Sequence, residues 1–289
     1  MERIPKTKPL VLSINSYVVH GYVGNKSIVF AIELHGINVD PLNLIQLSNH
    51  CGYPVAKGSA LSESELKAIF DDLEKNEISP NITHVITGYI KEEFIFNEVE
   101  NFLKKNPHVH YIFDPILGNS KGFYVPQNVL NFQQKLLPLA ETIVPNSFEA
   151  KQITQLPMNN PIELLAIVKK LHSYGIKNVV IKNTDQLSKR YVFFSFENGN
   201  KQIVIEMPTI SQKFCGAGDL FVGILVANMI NLGNDFETIA IRTVSSVFAV
   251  LQRTKELEMS ELALPMSVDQ ILNPKLIDKV IDVNEFLKC

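Results

Sequence analysis

Short apolar runs alternate along this chain with longer stretches whose apolar residues recur every three or four positions. Residues 9–14 form an apolar run long enough for one buried strand. His20-Gly21-Tyr22-Val23-Gly24-Asn25 reads as a turn, and a helical stretch follows to Leu34, stopped at Gly36. A second strand is expected at 37–40. Ser62-Glu63-Ser64-Glu65 has capping-box spacing and opens a helix to about Asn76. Further strands are expected at 84–87, 110–113, 142–144 and 179–181, and helices at 92–105, 129–137, 147–153 and 162–174. In the first of these helices Phe94, Ile95, Val99, Phe102 and Leu103 recur at helical spacing.

This alternation predicts an α/β fold, a central, mostly parallel sheet with helices on both faces. The rhythm then changes. Residues 190–196 and 202–207 flank Glu197-Asn198-Gly199-Asn200, and Asn-Gly is hairpin chemistry, so an antiparallel hairpin is expected at one edge of the sheet. Helices follow at 220–232 and 236–252. No repeat, low-complexity tract or linker divides the chain, and a single domain over 1–289 is expected.

Open parallel sheets bind ligands at the carboxyl ends of their strands. Asn15-Ser16, Gly88-Tyr89, Asp114-Pro115, Pro145-Asn146 and Lys182-Asn183-Thr184 all fall at such ends, so one cleft can gather them. Cys215-Gly216-Ala217-Gly218-Asp219 precedes the apolar run from Leu220 to Ile230 and reads as a tight turn opening a buried helix. The first N–H groups of a helix have no intrahelical partner and can hold an anion, and glycines let a phosphate approach them. Asp219 beside that anion site suits a base for a hydroxyl attacking a phosphoryl group. The same pentapeptide also reads as a turn with a helix cap.

Composition narrows the classes. Hydrophobic residues make up 46% of the 289 and charged residues 20%, ordinary for a globular protein. Net charge is −3 and no long Lys/Arg run occurs, which argues against a nucleic-acid partner. Gly223 and Asn228 break the longest apolar stretch well short of a membrane span. Residues 1–6 lack the apolar core of a signal peptide. Cys51, Cys215 and Cys289 form neither a disulfide framework nor a metal knuckle, and a reducing, cytoplasmic setting is expected.

Several segments are more specific. They are Leu12-Ser13-Ile14-Asn15-Ser16-Tyr17-Val18, Gly21-Tyr22-Val23-Gly24-Asn25, Ser48-Asn49-His50-Cys51-Gly52-Tyr53, Asp114-Pro115-Ile116-Leu117-Gly118, Tyr124-Val125-Pro126, Pro145-Asn146-Ser147-Phe148-Glu149-Ala150 and Gly216-Ala217-Gly218-Asp219. In order and spacing the chain resembles the pyridoxal kinase family, within the ribokinase-like superfamily, over nearly its whole length. The resemblance implies transfer of the ATP γ-phosphate to the 5′-hydroxymethyl group of pyridoxal, pyridoxine or pyridoxamine. It assigns proton acceptance to Asp219 and an anion hole to the N–H groups of Gly216, Ala217 and Gly218. On the vitamin side it places Ser16, Ile45, Leu47, Cys51 and Tyr89. On the ATP side it places Asp114, Tyr124, Asn146, Glu149, Lys182 and Asn183, with loop 119–123 over the phosphates. Asp114 and Glu149 would serve Mg²⁺ or another divalent cation, and a monovalent cation is an open requirement. A homodimer is implied as well.

The residues read without the resemblance keep blander alternatives open. Asn146-x-x-Glu149 is also a capping box, and Asp114-Pro115 a turn. Ser16 also suits a cap, Tyr89 a core ring and His50 a structural hydrogen bond. Three departures stand out. Cys51, Ala217 and Val144 occupy positions where relatives carry threonine, at the substrate, the anion hole and the metal respectively. The competing functions are a kinase for another small alcohol (hydroxymethylpyrimidine, sugar or nucleoside), a non-catalytic nucleotide sensor, and a Rossmann oxidoreductase. The last conflicts with Gly21 and Gly24, which stand three apart and lack the G-x-G-x-x-G spacing.

Overall fold

The computed structural model describes residues 8–184 and 189–288; the N-terminal segment discussed above and Cys289 lie outside them. The elements run β1 (Leu10–Val18), α1 (Asn25–Leu34), β2 (Asn38–Leu47), β3 (Gly58–Ala60), α2 (Glu63–Lys75), β4 (His84–Thr87), α3 (Glu93–Lys105) and β5 (His110–Phe113). A small hairpin follows, β6 (Gly118–Asn119) and β7 (Gly122–Phe123), then α4 (Val129–Gln133), β8 (Thr142–Ile143), α5 (Ser147–Thr154), α6 (Pro161–His172) and β9 (Asn178–Ile181). The chain ends with β10 (Tyr191–Phe196), β11 (Lys201–Glu206), α7 (Ala217–Leu232), α8 (Phe236–Glu256), α9 (Val268–Leu272), β12 (Val280–Ile281) and α10 (Val283–Phe286).

Ten strands form one sheet in the order β12-β11-β10-β9-β8-β5-β4-β1-β2-β3. From β9 to β2 every pairing is parallel, while β3, β10, β11 and β12 join antiparallel. Strand residues alternate between the two faces, as the two-residue period requires. Leu12, Ile14, Val85, Tyr111, Phe113, Val179 and Ile181 pack in one cluster with Leu66, Phe96, Val99 and Leu164 of α2, α3 and α6. Val11, Ile86, Ile112 and Val180 pack in the other, with Ile28, Leu220, Ile224 and Val244 of α1, α7 and α8. The expected central sheet with helices on both faces is therefore present.

The differences from expectation have local causes. The strand expected at 37–40 runs on to Leu47, past Pro41. Pro41 pairs with Ser13 in the part of β2 that has only β1 beside it, where a missing N–H is tolerated. The helix expected at 129–137 ends at Gln133, and Pro138 sits in a separate 3₁₀ turn, Leu137–Leu139, because it has no N–H for a helix ladder. The Asn-Gly hairpin forms between β10 and β11, with Asn198 and Gly199 both at positive φ. The two residues of β12 add outside it, too short a strand to leave a pattern.

Candidate active site

The helix expected at 220 starts three residues earlier, at Ala217. The amides of Ala217 and Gly218 thus belong to the first helical turn and share its dipole. Gly216 is the N-cap, in the left-handed conformation at φ 82°, and α7 has no side-chain cap. A Cβ on Gly216 would lie 1.9 Å from the Tyr22 carbonyl oxygen, so the fold itself requires glycine there. Gly218 differs. A Cβ there would meet only the Lys182 Nζ, at 3.7 Å, an ordinary contact. The space in front of Gly218 is left open by the protein and suits a ligand. Leu220 to Ala227 are all buried, which fixes this helix end against the sheet.

Asp219 points toward the end of β1. It accepts hydrogen bonds from the Asn15 side-chain amide (3.5 Å) and from the Gly24 N–H. Burial pushes its pKa up to about 6; the Gly24 bond opposes this, Asp114 adds to it, and Lys182 and Asn15 oppose it. Such a carboxylate is ionised at neutral pH yet basic enough to take a proton. Asn15 also receives the N–H groups of Ser16 (2.7 Å) and Tyr89 (3.0 Å) on its Oδ1. One buried amide therefore ties the ends of β1 and β4 to the acid on α7.

A second charged group lies at the ends of β5 and β9. The Lys182 Nζ is 2.6 Å from Asp114 Oδ1; the Lys182 side chain is 10% exposed and that of Asp114 0%. Asp114 Oδ2 is buried with no partner among the described residues. Burial pushes the Asp114 carboxyl up against the pull of Lys182. Burial also works against the Lys182 ammonium, but Asp114, Glu149 and Asp219 outweigh it and hold its pKa above the usual lysine range.

Asn146 and Glu149 form the capping box that their spacing allowed. Glu149 N–H donates to Asn146 Oδ1 (2.9 Å), and Glu149 Oε2 accepts from the Asn146 N–H (2.8 Å). Glu149 Oε1 accepts from the Leu117 N–H (3.1 Å). Burial pushes the Glu149 pKa up to about 7, with Lys182 pulling down and Asp114 pushing up. The Asn146 side-chain amide donates to the Gly118 carbonyl (2.8 Å), which tethers the β6–β7 hairpin. Tyr124, 56% exposed, follows that hairpin, and its hydroxyl receives the Asn119 amide. Asn183 accepts from the Ser147 N–H and hydroxyl. No group of three His, Cys, Asp or Glu residues among the described residues could hold a metal ion unaided. The orphaned Asp114 oxygen suits a Mg²⁺ ion, which takes one or two carboxylates and completes its shell with phosphates and waters.

On the other side of Asp219, Ser16 pairs with Ile45 and Val18 with Leu47 across β1 and β2. Ile45 and Leu47 are half-buried and belong to neither core cluster, as wall residues of a pocket would be. Tyr89 is half-buried and does pack against the core. Cys51 is exposed, and the adjacent Gly52 lies against Cys215, 3.5 Å from its sulfur at the Cβ position. Cys215 is exposed too, and partial burial pushes its thiol pKa up, away from the reactive range. His50 takes the structural role. Its Nδ1 accepts from the Gly52 N–H (3.0 Å), so Nε2 carries the proton toward Glu261 Oε1 (3.0 Å). The Tyr53 hydroxyl also donates to that oxygen (2.8 Å). Glu261 was not legible in the sequence as a site residue; it has no motif and acts only through contacts with a loop more than 200 positions away. Asn15 was legible only as part of a polar strand end. A groove of about 420 Å³ between α2 and α3 is lined by none of these residues.

A pyridoxal kinase of Dictyostelium discoideum is 33% identical over 294 residues, covering 93% of this chain and 97% of that protein. The chain belongs to the pyridoxal kinase family. The pyridoxal kinase of Bos taurus is 34% identical over 265 residues, 84% of this chain and 85% of that one. A family model described as Phosphomethylpyrimidine kinase matches residues 56–256. The solved pyridoxal kinase from Leishmania donovani in complex with ADP and pyridoxamine superposes with a TM-score of 0.88 at 27% identity, over 94% of this chain and 99% of that one. Like other pyridoxal kinases, the protein is an ATP-dependent kinase of vitamin B6.

Proposed function

We propose that the protein transfers the ATP γ-phosphoryl group to the 5′-hydroxyl of pyridoxal, and of pyridoxine and pyridoxamine, with Asp219 as general base. The observation that carries this reading is a carboxylate with a pKa of about 6 set at the mouth of a helix that lacks a side-chain cap. The vitamin lies against Ser16, Ile45, Leu47, Cys51 and Tyr89, with its hydroxymethyl arm toward Asp219. The N–H groups of Gly216, Ala217 and Gly218 stabilise charge on the migrating phosphoryl group. Asp219 takes the hydroxyl proton as the oxygen attacks phosphorus and ADP leaves. Asn146, Lys182 and Asn183 hold the nucleotide, and Tyr124 with the β6–β7 hairpin covers its phosphates and excludes water.

Asp114, and Glu149 indirectly, would hold a Mg²⁺ ion, which would supply neutralisation of phosphate charge. Both Glu149 oxygens already accept backbone N–H groups, which favours an indirect role for it. The reading includes a cytoplasmic homodimer, testable by light scattering; no helix among the described residues is long and apolar enough to cross a membrane. The family model's description favours one second acceptor, a hydroxymethylpyrimidine. A coupled ATP-consumption assay across pyridoxal, pyridoxine, pyridoxamine, hydroxymethylpyrimidine and ribose tests the assignment. Highest kcat/KM on a B6 compound is expected, and preference for the pyrimidine or the sugar refutes it.

A further inference from the structure

A monovalent metal ion beside phosphates needs several oxygen donors, and among the described residues the Asp114 carboxylate leaves only one oxygen free for it. The Lys182 ammonium already sits on Asp114 Oδ1 at 2.6 Å. Val144, fully buried in an apolar cluster at the end of β8, brings no oxygen from its side chain. The ammonium is held from several sides. The backbone N–H of Lys182 donates to the Pro145 carbonyl (2.9 Å), which fixes the base of the side chain next to α5. Its charge interacts with Asp114, Glu149 and Asp219, the three acids of the cleft. It also stands 3.7 Å from the position of a Cβ on Gly218, beside the open space at the mouth of α7.

We propose that the Lys182 ammonium is a resident monovalent cation, supplying to the nucleotide phosphates the positive charge that an added K⁺ or Na⁺ would otherwise supply. This rests on the kinase reading above. An ammonium of fixed position carries the same unit charge, donates hydrogen bonds to phosphate oxygens, and cannot dissociate. The enzyme therefore works at full rate without a monovalent metal.

The test compares the native enzyme with Lys182→Thr, which exchanges the ammonium for a hydroxyl, in KCl, NaCl and tetramethylammonium chloride of equal ionic strength. Initial rates are measured with ATP, Mg²⁺ and pyridoxal, and thermal unfolding is followed in the same salts without substrates. Native kcat and unfolding temperature are expected to be the same in all three salts. Lys182→Thr is expected to lose about 10²-fold in kcat in tetramethylammonium, the scale of one lost electrostatic contact to the reacting group. K⁺ or Na⁺ should restore much of that loss and raise the variant's unfolding temperature. A native rate that climbs several-fold with K⁺ overturns the proposal, as does full activity of Lys182→Thr in tetramethylammonium. If Lys182→Thr does not fold, Lys182→Gln takes its place, and the native comparison stands by itself. The unfolding arm needs no turnover, so a wrong choice of acceptor, seen as inactivity in every salt, does not obscure the answer.

Discussion

Two helices open onto the same cleft, and they finish their N-termini in opposite ways. α5 is closed by its own residues: Asn146 and Glu149 exchange hydrogen bonds, and Glu149 also accepts the Leu117 N–H. α7 has no side-chain cap, although it too carries an acid at its third position. That acid, Asp219, turns to Asn15 and Gly24 instead of to its own cap. A helix end that satisfies its own donors holds structure, and one that leaves them unsatisfied is ready for an anion. The same residue position holds structure in one helix and, in the proposed mechanism, takes the proton in the other.

The largest effect that would break this comparison is at Asp219. Asp219→Asn should lower kcat by about 10²–10⁴-fold, the usual weight of a general base, with ATP affinity kept within a few-fold. Steady-state kinetics decides, and unchanged kcat removes Asp219 from the mechanism. The same variant should fold more stably at neutral pH. The folded pKa of Asp219 is raised, to about 6. Its carboxyl therefore favours the fold when protonated, and that contribution is lost as pH rises from the ordinary value of 3.8 through 6. A neutral amide avoids the loss, worth about 1 kcal/mol once solvent access is allowed for. Thermal melts at pH 7 and pH 4 should show a gain at the first and none at the second.

At the capped helix the sign reverses. Glu149→Ala leaves the Asn146 and Leu117 N–H groups without their acceptor. The expected cost is about 2 kcal/mol in unfolding free energy, read from the denaturant midpoint. A variant as stable as the native protein would show that the box does not hold α5. The pH profile sharpens the contrast. Below about pH 6, where Asp219 takes up a proton, kcat/KM should fall about tenfold per unit. A profile flat to pH 5 would rule out a base with this pKa. The smallest effect is at Gly218→Ala. A Cβ there meets nothing closer than 3.7 Å, so the melting temperature should hold while kcat drops about tenfold through crowding of the phosphoryl group. Equal loss of stability and rate would show that Gly218 serves the fold.

Much of this contrast was legible in the sequence. Apolar runs at 84–87, 110–113 and 179–181 are buried on both faces, so their pattern marks strands without help from distant residues. The glycine turn and the Asn-x-x-Glu segment are local, and each fell where the strand order put it. The sequence could not choose between cap and metal ligand for Glu149, because both roles use the same atoms and only the hydrogen bonds distinguish them. Strand β3 is three exposed residues held by pairing with β2, so nothing in its own composition announces it. Asn15 and Lys182 matter through partners 204 and 68 positions away, a separation that no local pattern encodes.

Glu261 gives the C-terminal segment an unexpected job. The strap at 50–53, which borders the proposed vitamin site, is pinned by His50 and Tyr53 to one carboxylate beyond α8. Losing that carboxylate alone, as in Glu261→Ala, touches no residue assigned to catalysis, yet it would let the strap swing loose and weaken the grip on the vitamin while ATP binding holds.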